Sequence, residues 1–177
     1  MAMKIQVSEP LPLSADEAFY LIRDDMPSLV PFLYDVERIE VVTRSEDEGT
    51  VELVNMWYGD LDKIPRPVRR FIKRELLTWK DYATWTAQDR TSRWRLEPSI
   101  GGKVFECAGT SKLIEDGDNC LLEMDINLEI YPEQVPGVPK LLARKLRPQL
   151  EQIIEQQVSP NLRNLATSVR RYVASRE

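Results

Sequence analysis

The sequence predicts an α+β fold in which a curved antiparallel sheet of about six to seven strands wraps around a long C-terminal helix. Three observations carry this. From Val138 to Ser175 the apolar residues Leu146, Leu150, Ile153, Ile154, Val158, Leu162, Leu165, Val169, Tyr172 and Val173 recur at steps of three and four. That spacing makes one stripe on a helix of 3.6 residues per turn. From Pro148 onward such a helix reaches about 40 Å at about 1.5 Å per residue, and burying its stripe takes a broad apolar surface. The preceding residues offer that surface: alternating stretches joined by short turns, the pattern of an antiparallel meander.

The totals bound the answer. A chain of 177 residues with 42% hydrophobic and 30% charged residues fits one ordinary globular domain, taken as residues 1–177. A net charge of −5 argues against a dedicated nucleic-acid binder. Cys107 and Cys120 sit in apolar, strand-like stretches and read as buried free thiols in preference to a disulfide. The opening MAMKIQVSEP has no apolar run after its lysine, and no stretch reaches the length of a membrane span, so a cytoplasmic location is expected. Histidine is absent, which removes the usual general base, the Ser-His and Cys-His nucleophile systems and the commonest metal ligand. Two scattered cysteines do not make a zinc site, and no phosphate-cradling glycine loop occurs, so neither metal nor cofactor is expected.

Along the chain, Met3 to Ser8 alternates as a half-buried strand that Pro10 and Pro12 are expected to end. Ser14 with Glu17 reads as a capping box opening a helix that carries Ala18, Phe19, Leu21 and Ile22. Pro27 and Pro31 interrupt the helical pattern and set off a second short helix, of a kind that serves as a lip or hinge rather than core. Val36 to Arg44 and Thr50 to Tyr58 form a hairpin across an acidic turn. A helical run is expected over Val68 to Leu77, then strands at Trp79 to Gln88, Ser92 to Pro98, Val104 to Glu115 and Cys120 to Tyr131. Pro132, Pro136, Gly137 and Pro139 make the linker to the C-terminal segment. There Val138 to Arg147 reads as a separate leading turn or short helix, ahead of one long helix kinked near Pro160.

The opening Ile5-Gln6-Val7-Ser8, leading into Leu13-Ser14-Ala15-Asp16-Glu17-Ala18-Phe19, together with this order of elements, resembles the START-like (SRPBCC), helix-grip superfamily. That group includes START lipid-transfer domains, polyketide cyclase/dehydrase proteins and the birch-pollen allergen family. The likeness covers nearly the whole chain and rests on element order rather than an invariant motif. A basic insert after the third strand and the Met3-Lys4-Ile5 opening are also similar to PRELI-type phospholipid-transfer proteins. The resemblance implies a cavity between sheet and C-terminal helix, and binding or transport of a hydrophobic small molecule or lipid.

Candidate site residues fall into three groups. Trp57, Trp79, Trp85 and Trp94 lie on the middle strands, and strict alternation places Trp79 and Trp85 on one face with Tyr82 on the other. With Leu150 and Ile154 of the helix they are the expected ligand-binding set, although the same aromatics equally suit a plain sheet-to-helix core. Arg66, Arg69, Arg70, Lys73 and Arg74 are the expected contact with an anion or an anionic membrane surface, the alternative being a solvated helix face. Arg93, Arg95, Glu106, Glu123 and Asp125 are the candidates if the chain is a cofactor-independent enzyme of the cyclase, aromatase or dehydratase type, but none is assigned a catalytic role. A carrier is favoured over that enzyme, and over an interaction module using the basic face.

Overall fold

Where apolar and polar residues alternate between turn residues, the chain is strand. The computed structural model describes residues 2–70, 73–99 and 103–177, except for the side chains of residues 67, 68, 146 and 149–162. Its strands are β1 (Ala2–Leu11), β2 (Val36–Asp47), β3 (Thr50–Gly59), β4 (Thr78–Thr86), β5 (Thr91–Pro98), β6 (Phe105–Asp116) and β7 (Asn119–Ile130). They form one seven-stranded antiparallel sheet in the order β1-β7-β6-β5-β4-β3-β2. Helix α1 (Ala15–Asp24) and a 3-10 turn (Met26–Phe32) come after β1, a short α2 (Arg66–Arg69) precedes β4, and α3 (Lys140–Ala174) closes the chain.

Local chemistry explains the ends of these elements. The Ser14 hydroxyl accepts from the Glu17 backbone N–H at 3.2 Å while the Glu17 carboxylate accepts from the Ser14 N–H at 3.1 Å, a complete capping box. The β2–β3 hairpin turns on Glu48 (φ 45°) and Gly49 (φ 81°), two successive residues in the left-handed region, as a two-residue hairpin loop requires. Arginine side chains then tie the pieces together. Arg90 bridges Asp16 of α1 at 2.6 Å and Glu115 of β6 at 2.8 Å, and Arg170 of α3 donates to the Pro10 carbonyl of β1 at 2.9 Å.

The core lies on the concave face. Inward residues of β1 and β7 (Val7, Leu11, Leu122, Ile126, Leu128) meet Ala15, Ala18, Phe19 and Ile22 of α1 and Ala166 and Val169 of α3. Helix α3 packs on β1 and on the 3-10 turns Met26–Phe32 and Pro132–Gln134.

Four local expectations are corrected. β1 runs through Pro10 to Leu11 because it is an edge strand, where a missing N–H costs no ladder bond. The segment after α1 is core as well as rim, since Leu29 is fully buried. The helical run over Val68 to Leu77 resolves into α2, four residues long, and a 3-10 turn at Arg74–Leu77; Phe71 and Ile72 lie outside the described residues. Finally, the residues from Lys140 onward are not a separate leading helix, for α3 continues through Pro148 and Pro160 to Ala174.

Replacing Ser14 with alanine removes the hydroxyl half of this capping box, and is expected to cost about 1 kcal/mol. A thermal melt of Ser14→Ala beside wild type checks this; an unchanged midpoint would mean that α1 is held by its packing alone.

Candidate functional site

The register of β3, β4 and β5 builds the site. Asn55 pairs with Asp81, Trp57 with Trp79, Asp81 with Leu96, Ala83 with Trp94 and Trp85 with Ser92. Paired residues in an antiparallel ladder share a face, so all of these point to the concave side. Between them and the helices lies a cavity of about 260 Å³, lined by all four tryptophans, by Asp35, Asp81, Ser92 and Ser111, and by apolar residues that include Ile22, Met26 and Leu165. The rings are fixed by their neighbours. Trp57 stacks on Trp79 with centroids 6.0 Å apart, and Phe19 meets Trp85 edge-on at 5.4 Å. Opposite Trp94 stands Gly109, where a Cβ would fall 2.7 Å from the indole, so glycine alone leaves room for that ring.

The polar groups on this face of the sheet divide sharply. Trp94 Nε1–H donates to Ser111 Oγ at 3.0 Å and is satisfied. Asn55 Oδ1, Trp57 Nε1, Asp81 Oδ1, Trp85 Nε1 and Ser92 Oγ are all sealed from solvent without a hydrogen-bond partner. Buried polar atoms are nearly always paired, and leaving one unpaired costs about 1–3 kcal/mol. Five such atoms on three adjacent strands are a cluster, not scatter.

Asp81 is the most perturbed of them. Desolvation pushes its carboxyl up from 3.8 to about 7, against an opposing pull from the Trp57 indole N–H. That indole lies near enough to favour the carboxylate but is not aligned as a hydrogen bond, since neither Trp57 Nε1 nor Asp81 Oδ1 has a partner. Asp81 retains some surface as a residue and lines the cavity, while its Oδ1 is sealed. Asp35, at the start of the β2 side of the cavity, is likewise raised by desolvation. Burial, and then the nearby Asp81, push the Cys107 thiol up to about 12, and burial pushes Cys120 to about 11; both are buried free thiols.

Of the residues singled out from sequence, Trp57, Trp79, Trp85 and Trp94 come together on the cavity wall. Tyr82 faces outward, where Arg95 sits 4.1 Å from its ring centroid. The side chains of Leu150 and Ile154 lie outside the described residues. Arg93, Arg95, Glu106, Glu123 and Asp125 are all exposed on the convex face, so none can serve chemistry in the cavity. The polar residues that do face inward, Asn55, Asp81 and Ser92, are absent from the candidates read from sequence, although alternation from the tryptophans reaches all three.

The basic segment stands apart. Arg69 folds back to donate to the carbonyls of Asp62 (2.7 Å) and Ile64 (2.9 Å), Arg74 pairs with Glu37 at 3.3 Å, and Arg66, Arg70 and Lys73 are exposed. A second hollow, of about 780 Å³, opens at the far end of β5, β6 and β7. Four of its charged residues are ion-paired with one another, Arg95 with Glu97 and Lys103 with Glu106. Among the described residues no group of His, Cys, Asp and Glu is placed to hold a metal, and no helix is long and apolar enough to cross a membrane.

Comparison with known proteins agrees with this geometry. A family model described as "Protein of unknown function (DUF2505)" matches residues 28–172, and the chain belongs to that family. No curated protein matches the sequence. Among solved structures, the Zhui aromatase/cyclase from Streptomyces sp. R1128 superposes with a TM-score of 0.66 at 14% identity, over 98% of this chain and 96% of that one. A protein from Thermus thermophilus gives 0.63 at 17% identity over 94% and 97%, and norcoclaurine synthase from Thalictrum flavum 0.62 at 12% over 100% and 98%. At these identities the likeness is one of fold. The chain shares the helix-grip fold of these structures, as its element order implied.

The Asp81 shift makes stability depend on pH. Between about pH 4 and pH 7 the folded chain keeps a proton on Asp81 that the unfolded chain has released. Raising the pH through that window therefore favours unfolding, by up to about 1.4 kcal/mol per unit, and the loss is complete above pH 7. Asp81→Asn is expected to be more stable than wild type at pH 8 and to lose that advantage at pH 4. Denaturant melts of both proteins at the two pH values test it, and parallel pH dependence would show that Asp81 ionises normally.

Proposed function

We propose that this member of the DUF2505 family binds a compact, mostly apolar molecule with polar groups at its ends, in the cavity between the sheet and the helices. The observation that carries the reading is the set of buried, unpartnered polar atoms of Trp57, Asp81, Trp85 and Ser92 in a mostly apolar wall. The wall supplies affinity by burial of apolar area, at roughly 25 cal/mol per Å². The polar atoms supply orientation. A cavity of about 260 Å³ holds about nine water volumes of roughly 30 Å³ each, and lies at the small end of ligand pockets. That favours a small ring compound over a two-chain lipid. Trp57, Trp79, Trp85 and Trp94 are the contact surface of this proposal, and the fold is shared with proteins named as an aromatase/cyclase and as norcoclaurine synthase.

A second reading has one observation behind it. A carboxyl held near pH 7 inside a cavity is poised to exchange protons with a bound molecule, which favours an enzyme of the cyclase or dehydratase type. Incubating a panel of aryl ketones with the protein in D₂O separates the two. Deuterium entering at the carbon beside the carbonyl, and failing to enter with Asp81→Asn, marks catalysis; no exchange leaves binding alone.

The binding reading makes its own prediction. Native mass spectrometry of gently purified protein, with solvent extraction after it, is expected to show a small organic molecule at one per chain. Ser92→Ala removes an unpartnered hydroxyl, so the ligand-free protein should be unchanged or up to about 1 kcal/mol more stable while retaining less of that molecule. A destabilised, fully loaded Ser92→Ala protein, or a chain that is empty and takes up no small aromatic, would overturn it.

A further inference from the structure

Resting on that binding reading, we propose that the ligand is an organic monocation: an ammonium, primary to quaternary, on a compact apolar body, with its charged head at the Asp81 end of the cavity. The charge of the wall is the first ground. Its described lining contains two carboxyls, Asp35 and Asp81, and no lysine or arginine. The cations nearest in sequence, Lys80, Arg93 and Arg95, alternate to the opposite face of the sheet, where Arg95 is paired with Glu97. An anionic ligand would meet like charge with nothing to offset it. A cation meets two potential counter-charges.

The tryptophans are the second ground. Four indoles surround one small cavity, and an indole face attracts a cation within about 6 Å of its centroid, most strongly when water is excluded. No cation of the described lining occupies them.

The third ground is the order of the unpartnered atoms along the sheet. Asn55 Oδ1 and Asp81 Oδ1, acceptors once Asp81 is ionised, stand side by side across β3 and β4. Trp85 Nε1–H and Ser92 Oγ–H, both able to donate, stand side by side across β4 and β5. Asp81 and Trp85 are four residues apart on one strand, about 13 Å at about 3.3 Å per residue. The Asp81 end thus holds an acceptor beside the Trp57 Nε1–H, and the Trp85–Ser92 end holds two donors. A molecule with ammonium hydrogens or a cationic head at one end and an oxygen at the other satisfies both.

The protonation of Asp81 supports the same assignment. Its carboxyl is raised by desolvation without any opposing cation, so the empty site lacks a partner that an incoming ammonium would supply. The other titratable groups that face it are Asp35, from the segment before β2, and the Cys107 thiol of β6; among the described lining α3 contributes only Leu165. Binding a cation then favours the carboxylate and releases a proton near neutral pH.

The test uses benzyltrimethylammonium, whose charge does not titrate, beside neopentylbenzene, in which carbon replaces nitrogen. Quenching of tryptophan fluorescence reports binding of each at pH 5 and pH 8. At pH 8 the cation is expected to bind at least about tenfold tighter than its neutral twin, and about tenfold weaker at pH 5. Asp81→Asn should lower cation affinity at pH 8 by about tenfold and flatten its pH profile. Equal binding of the two probes by wild type would overturn charge selection while leaving the cavity reading intact. Binding of neither overturns both. An unchanged pH profile in Asp81→Asn would overturn the assignment of the head group to Asp81, and circular dichroism of that variant confirms that the comparison is between folded proteins.

Discussion

A sheet buried on one face gives no water to a polar side chain that points inward, so such a group must find its partner in the protein or in whatever fills the space beside it. The rest of this structure is arranged around that constraint. The edge strand β1 and its neighbour β7 meet it with apolar residues and with Glu9, which Arg170 of α3 pairs at 3.6 Å, and they form the closed core with α1 and the last turns of α3. The central strands do not. There the register places Asn55 beside Asp81 and Trp85 beside Ser92, and only Trp94 finds a partner, in Ser111. Core and cavity thus occupy different parts of one face, which lets the fold be held at one end while its interior stays open at the other.

Charge is sorted by the same alternation. Along β4 and β5, Lys80, Arg93 and Arg95 take the convex face, while Asp81 takes the concave one between Trp79 and Trp85. Convex charges remain in water and pair cheaply with neighbours such as Glu97, contributing little to stability. The single concave carboxyl of β4 has no such outlet, and its response is to hold its proton up to about pH 7. The two faces therefore meet different surroundings: solvent and ions outside, the cavity inside.

Much of this is legible in the sequence because it depends on periodicity. The strand–helix–sheet–helix order, the capping box at Ser14 and Glu17 and the shared face of Trp79 and Trp85 come from patterns that survive folding. The features that escape a linear reading depend on neighbours it does not display. Pro10 reads as a strand breaker because its position at the sheet edge is a property of topology. The basic residues after Lys63 read as one amphipathic helix, yet Arg69 spends its guanidinium on its own backbone. Asp81 is within reach of the sequence. The alternation that joins Trp79 to Trp85 joins Asp81 to both, as it joins Asn55 to Trp57 and Ser92 to Trp94. The large aromatic residues draw the eye from the small polar ones between them, and which of those lacks a partner is not written in the sequence at all.

Arg23 and Asp81 show why the cavity asks for an explanation outside the chain. Arg23 is buried too, but Asp24 accepts from it twice, at 2.7 and 2.8 Å, and the rings of Phe19 and Tyr20 lie beneath its guanidinium. Its burial is accounted for within the fold. Nothing in the described fold accounts for Asp81: an apolar residue of similar size there would avoid a desolvation cost and an unpartnered acceptor. The same holds for Ser92, and the unused N–H groups of Trp57 and Trp85 add to the deficit. Several such costs fall on one small surface beside a tryptophan and a buried arginine that do have partners, and the proposed ligand would supply what the fold does not.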